Sequence, residues 1–199
     1  KSNLIRRLRM LGQLPTTLEI SGKKYEIRTD FRNVLSIISA FNDDELQDNE
    51  KIYICLKRLL IDFDSLPSGL YGEAYTAATQ FIECFRSNDR PGPKVVNWEK
   101  DENLIFAAIN KVAGQEVRML DYLHWWTFLG FFQSISHEDL IGFIMTIRQK
   151  RAKGKKLEKN EQEFFNANRS LCEIGAVKNR KKDAEDYLAA LYKELSGEE

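Results

Sequence analysis

The chain has 199 residues, 43% hydrophobic and 30% charged, with a formal net charge of zero. That is enough for a real core in one compact domain or two small ones. A neutral total argues against a generic nucleic-acid binder, and no run reaches the ~18 apolar residues that a membrane span needs.

The neutrality hides opposed blocks. Residues 1–28 carry a net +5, residues 29–110 a net −6, and 111–147 a net −2. Residues 148–182 carry +8 and 183–199 carry −5. Such alternation suits self-association or contact with another protein at least as well as it suits DNA. The three cysteines, Cys55, Cys84 and Cys172, are far apart and form no CxxC pair, as expected of small apolar residues in a reducing compartment.

In chain order, residues 1–13 read as a basic N-terminal helix or arm. Leu4, Leu8 and Leu11 fall on one face, with Arg6, Arg7 and Arg9 between them. Residues 14–32 hold the one good β signal. Thr17–Ile20 and Lys23–Ile27 alternate apolar and polar residues around a Ser21-Gly22 turn, which predicts a hairpin. A lone hairpin is marginal in water, so it must pack on helices.

The rest reads as helix. Thr29 or Asp30 is placed to cap a stripe of Phe31, Val34, Leu35, Ile37, Ile38 and Phe41. Asn42 with Glu45 looks like a capping box for a second helix carrying Ile52, Tyr53, Leu56, Leu59, Leu60 and Phe63. "DSLPSG" breaks it, and a third helix is expected over 70–86. The prolines around Gly92 make 87–97 a loop and a possible point of subdivision. Further helices are expected over Trp98–Ala113 (with Gly114 as C-cap), over about 119–135, and from Ser136 onward through Ile147. Two charged helices, around 157–172 and 181–195, close the chain. The expected fold is therefore mainly α: a helical core over 14–150 with one small N-terminal hairpin, then charged C-terminal helices over 151–199.

Little in this pattern points to chemistry. The two histidines, His124 and His137, fall on different predicted helices without the paired spacing of a metal site. No glycine-rich phosphate loop occurs, and no motif surrounds any cysteine. Carboxylates such as Asp43–Asp44 and Glu138–Asp139 are explained by helix initiation. A non-enzymatic protein without cofactor or metal is expected. The basic segment 148–182 is short of aromatics for base stacking, so nucleic acid is not the expected partner. The candidate contact cations for a protein partner are Arg6, Arg7 and Arg9 at one end and Arg148, Lys150, Arg151, Lys153, Lys155 and Lys156 at the other.

"DYLHWWTFLGFF", residues 121–132, is apolar nearly all round, which predicts a central helix. His124 is expected to hydrogen-bond Asp121 or backbone, Trp125–Trp126 to be core, and Gly130 to permit close packing. The alternative is that one tryptophan is a surface anchor for a partner.

Taken together, "LPTTLEISGKKYEIRTDFRNVL", "LHWWTFLGFFQSI" and "FIMTIRQKRAKGKK" resemble the phage gp-fifteen family of long-tailed phages. Leu123, His124, Trp125 and Trp126 match its signature, to which no chemistry is assigned. The resemblance implies a tail-morphogenesis protein similar in gene context to tail assembly chaperones. Such proteins coat the tape-measure protein and recruit tail-tube subunits in the host cytoplasm, then leave. A structural virion protein of the tail (terminator, connector or tip component) is the alternative.

Overall fold

The structure is a computed structural model describing residues 12–84 and 92–174. The expected N-terminal helix, the tip of the 87–97 loop and the helix around 181–195 lie outside the described residues.

Two compact units are present. The first is built from residues 1–91 and 105–135, the second from 92–104 and 136–199. The fold is mainly α with one N-terminal hairpin, as the sequence predicts.

In the first unit, β1 (Thr17–Ile20) and β2 (Lys23–Glu26) pair antiparallel, with Leu18 opposite Tyr25 and Ile20 opposite Lys23. Ser21 at φ +50° and Gly22 at φ +78° make the two-residue turn whose handedness fits strand twist. Leu18, Ile20, Tyr25 and Ile27 are buried, so the alternation does put one face on a core. The turn is held by Glu73, whose carboxylate accepts from the Ser21 N–H at 2.5 Å.

Helix α1 (Phe31–Phe41) starts on Asp30, which accepts from Arg32 N at 3.0 Å. It buries Phe31, Val34 and Ile37. Asn42 does not open the next helix, as its spacing to Glu45 predicts. It closes α1 instead, its side-chain amide donating to the Ile38 carbonyl at 2.8 Å. Helix α2 (Asp48–Leu59) starts six residues later, where the Glu50 carboxylate accepts from Gln47 N at 2.8 Å. An amide side chain can serve either helix end, and here it joins the Asn42 backbone N–H on the Ile38 carbonyl in the last turn of α1. The Arg28 guanidinium donates to the carbonyls of Lys57, Arg58, Leu60 and Ile61, covering the C-terminal end of α2.

Two 3₁₀ turns, Phe63–Ser65 and Ser68–Leu70, fill the predicted break and lead into α3 (Tyr71–Ile82). Helix α4 (Glu102–Ala113) is shorter than predicted at its start. Residues 97–101 form a tight turn instead. There Asn97 Oδ1 accepts from the N–H groups of Glu99 and Lys100, and Asp101 Oδ2 accepts from Asn97 N. Asparagine's short polar side chain favours such a local loop over helix. Gly114, at φ +69°, ends α4 as expected.

In the second unit, α6 (Leu140–Ala152), α7 (Lys159–Ala167) and the short α8 (Arg169–Cys172) surround a small core. Ile147, Phe165 and Cys172 form it, with Phe143, Leu157 and Phe164 against them. The expected 157–172 helix is thus broken at Asn168. Gly142 on α6 meets the 136–139 turn so closely that a Cβ would lie 2.1 Å from the Ser136 carbonyl oxygen. Among the described residues, no helix is long and apolar enough to cross a membrane.

Candidate partner-binding surfaces around the His124 seam

Helix α5 spans Trp125–Gln133 only. The predicted 119–135 helix is cut short because Val117–Met119 is a 3₁₀ turn and His124 is extended (φ −60°, ψ 136°). His124 is the N-cap. Its Nδ1 accepts from Trp126 N at 3.0 Å, an unusual residue in a role that asparagine, aspartate and serine normally fill. That fixes the tautomer: the proton sits on Nε2, which donates to the Pro15 carbonyl at 3.0 Å. Of the two expected partners, Asp121 or backbone, the ring takes backbone on both sides. His124 is buried, and burial lowers its pKa, partly opposed by the bond to Pro15.

Residues 27–31 and 122–125 are laced together around this ring. Trp125 N donates to Thr29 O at 2.7 Å, Phe31 N to Leu123 O at 3.0 Å, and Leu123 N to Asp30 Oδ2 at 3.1 Å. Thr29 Oγ1 and Tyr122 Oη lie 2.7 Å apart. Arg32 donates to the carbonyls of Arg118 and Leu120, holding the approach to the seam. Glu116 caps the 3₁₀ turn, and Arg118 beside it holds that carboxyl down to about 2.

The two tryptophans end another helix. Trp125 Nε1 donates to Ile82 O at 2.8 Å and Trp126 Nε1 to Phe81 O at 2.9 Å. Both carbonyls belong to the last turn of α3, where the regular helix donors run out; Phe81 O also accepts from Cys84 N at 3.1 Å. Trp125 is buried and stacks near Phe128, which stacks on Phe31 at 4.5 Å. Trp126 is half-buried. Trp125 is thus core as expected and Trp126 only partly so, and both carry a capping duty that periodicity cannot show. The predicted reason for Gly130 does not hold: a Cβ there would meet nothing within 4 Å. The close approach belongs to Gly142, which sequence reasoning passed over.

The predicted contact cations are scattered in environment. Arg148 is not presented to a partner: it is buried against Asp101 in the second unit. Lys150 donates to Glu161 at 2.6 Å and Glu158 at 3.2 Å, and the Glu161 bond raises its pKa. Arg151 lies 3.9 Å over the Phe165 ring. Lys153, Lys155 and Lys156 are exposed. Arg6, Arg7 and Arg9 lie outside the described residues.

What sequence reasoning missed is exposed apolar surface. Met119 is 82% exposed and Tyr122 56%, on the strand of chain entering the seam, and Leu14 is 46% exposed beside Pro15. A second apolar feature is an open groove along α2, lined by Leu46, Ile52, Tyr53, Tyr71 and Gly72, with Tyr53 49% exposed. Among the described residues, no three histidine, cysteine or carboxylate side chains are grouped to hold a metal. The free thiols Cys55 and Cys172 are buried.

No curated protein and no solved structure matches the chain. A family model, described as Bacteriophage Gp15 protein, matches residues 10–173 and so covers the hairpin, the His124 seam and the described part of the second unit. The chain belongs to the Bacteriophage Gp15 protein family and is a phage protein of the structural or morphogenetic kind.

Proposed function

We propose that this protein is a non-enzymatic tail assembly chaperone that binds the tape-measure protein and tail-tube subunits in the host cytoplasm. The observation that carries the reading is the set of exposed apolar side chains, Met119, Tyr122 and Leu14, on segments anchored by the His124 seam. Exposed apolar side chains that form a contiguous patch mark interaction sites, and a few such residues carry most of an interface's energy. A tape-measure protein is a long helical chain with apolar stripes. Such a stripe would dock against these side chains as an amphipathic helix docks in a groove. The seam keeps them in place, so little ordering cost falls on binding.

The test is co-purification with the tape-measure protein of the same phage. Met119→Asp with Leu14→Asp should weaken capture by at least about tenfold, the loss expected for central interface residues, without changing the circular dichroism spectrum. Finding no capture by the unmodified protein overturns the reading. Finding the protein in purified virions by mass spectrometry assigns it instead to the finished tail.

A further inference from the structure

The α2 groove is a second apolar surface, separate from the His124 seam, and its electrostatics are one-sided. Residues 42–54 carry five acids against the single cation Lys51. Glu50 lines the groove with Leu46, Ile52 and Tyr53, and Asp43, Asp44 and Asp48, close to Leu46 in the chain, are exposed. The ligand that fits is an amphipathic segment with an apolar stripe flanked by cations.

The chain carries one such segment. Residues 1–11 hold Lys1, Arg6, Arg7 and Arg9 and no acid, with Leu4, Leu8 and Leu11 spaced to share one side of a helix. They lie outside the described residues. We propose that residues 1–11 of one copy dock in the α2 groove of a second copy, the leucines against Tyr53 and Ile52 and the arginines against the acidic edge. This goes beyond the chaperone reading and does not depend on it. Each copy offers one segment and one groove, so two copies that exchange segments close a two-fold dimer, and copies that pass the contact on build a ring or a filament.

The full-length protein tests this by light scattering across a concentration series. The unmodified chain should gain mass beyond a monomer as concentration rises. Arg6→Glu/Arg7→Glu/Arg9→Glu and, separately, Asp43→Lys/Asp44→Lys/Asp48→Lys, which turns residues 42–54 net basic, should each weaken association by about tenfold or more. Mixing the two variants should restore it, because each variant's segment then meets a groove of opposite charge on the other. Restoration by mixing is not expected if the segment folds onto its own groove, and its absence overturns the proposal. A monomer at every concentration, or association indifferent to both reversals, also overturns it. Retained circular dichroism spectra show that the variants are folded, and loss of tape-measure capture by Met119→Asp is read independently.

Discussion

Arg148 and Asp101 form a bidentate ion pair almost sealed from water, with their side chains 2% and 4% exposed. Arg148 Nη1 meets Asp101 Oδ2 at 2.5 Å and Nη2 meets Oδ1 at 2.9 Å. The remaining donors reach the carbonyls of Val95, Leu171 and Cys172. One guanidinium thus ties the segment before α4 to the end of α8 within the second unit. Its fork geometry does what an ammonium cannot.

Arg148→Met should therefore destabilise the protein by about 3–5 kcal/mol, because Asp101 is left buried without its counter-charge. Arg148→Lys should recover only part of this. Replacing both residues with apolar ones should cost less than Arg148→Met alone. Urea unfolding measures all three; a loss below about 1 kcal/mol for Arg148→Met would contradict the assignment.

His124→Ala removes an N-cap acceptor and a donor to Pro15, and should cost about 2 kcal/mol. His124→Asn keeps a capping acceptor and should recover about half of that. The histidine also makes stability pH-dependent. Its folded pKa lies below the ordinary 6.5, so in the interval between the two values the unfolded chain binds more protons than the native one. Its contribution is complete above 6.5 and is lost as pH falls through the lowered native value. The melting temperature should fall from pH 7.5 to 5.5 by more in the native sequence than in His124→Asn. An equal fall in both proteins refutes the titration argument.

Two glycine substitutions should move stability in opposite directions. Gly142→Ala drives a methyl into the Ser136 carbonyl, which is backbone and must shift, at a cost of about 3 kcal/mol. Gly130→Ala places a methyl in open space inside a helix and should stabilise by about 0.5–1 kcal/mol. Thermal melts of the two variants decide the matter, and matching signs would be inconsistent with these packing assignments.

Burial pushes the Cys55 thiol up to about 12 from 9.0. At pH 8 such a thiol holds roughly a thousandth as much thiolate as an ordinary one, and the thiolate is the reactive form. Maleimide labelling of Cys55, followed by peptide mass spectrometry, should be negligible in the native protein and rapid in denaturant. Prompt native labelling would place Cys55 at the surface.

Local patterns in the sequence were sufficient for the hairpin at Thr17–Ile20 and Lys23–Glu26, the Ser21-Gly22 turn, the Asp30 cap and the buried stripe of α1. Each follows from side-chain period or turn stereochemistry within a few residues. Local choice between equivalent roles was less secure: Asn42 fits either end of a helix, and only the α1 carbonyl at Ile38 decided which.

The sequence by itself determined the mainly helical class, the family signature and the opposed charge blocks. Tertiary structure alone decided what the conspicuous residues do. His124 became a cap bonded to a carbonyl 109 residues away. The tryptophans became donors to the end of α3, and Arg148 paired internally with an aspartate 47 residues distant. The physical reason is common to all three. Periodicity reports which side of an element avoids water, but a buried polar atom takes whichever partner the fold brings within about 3 Å. That partner carries no mark in the neighbouring sequence.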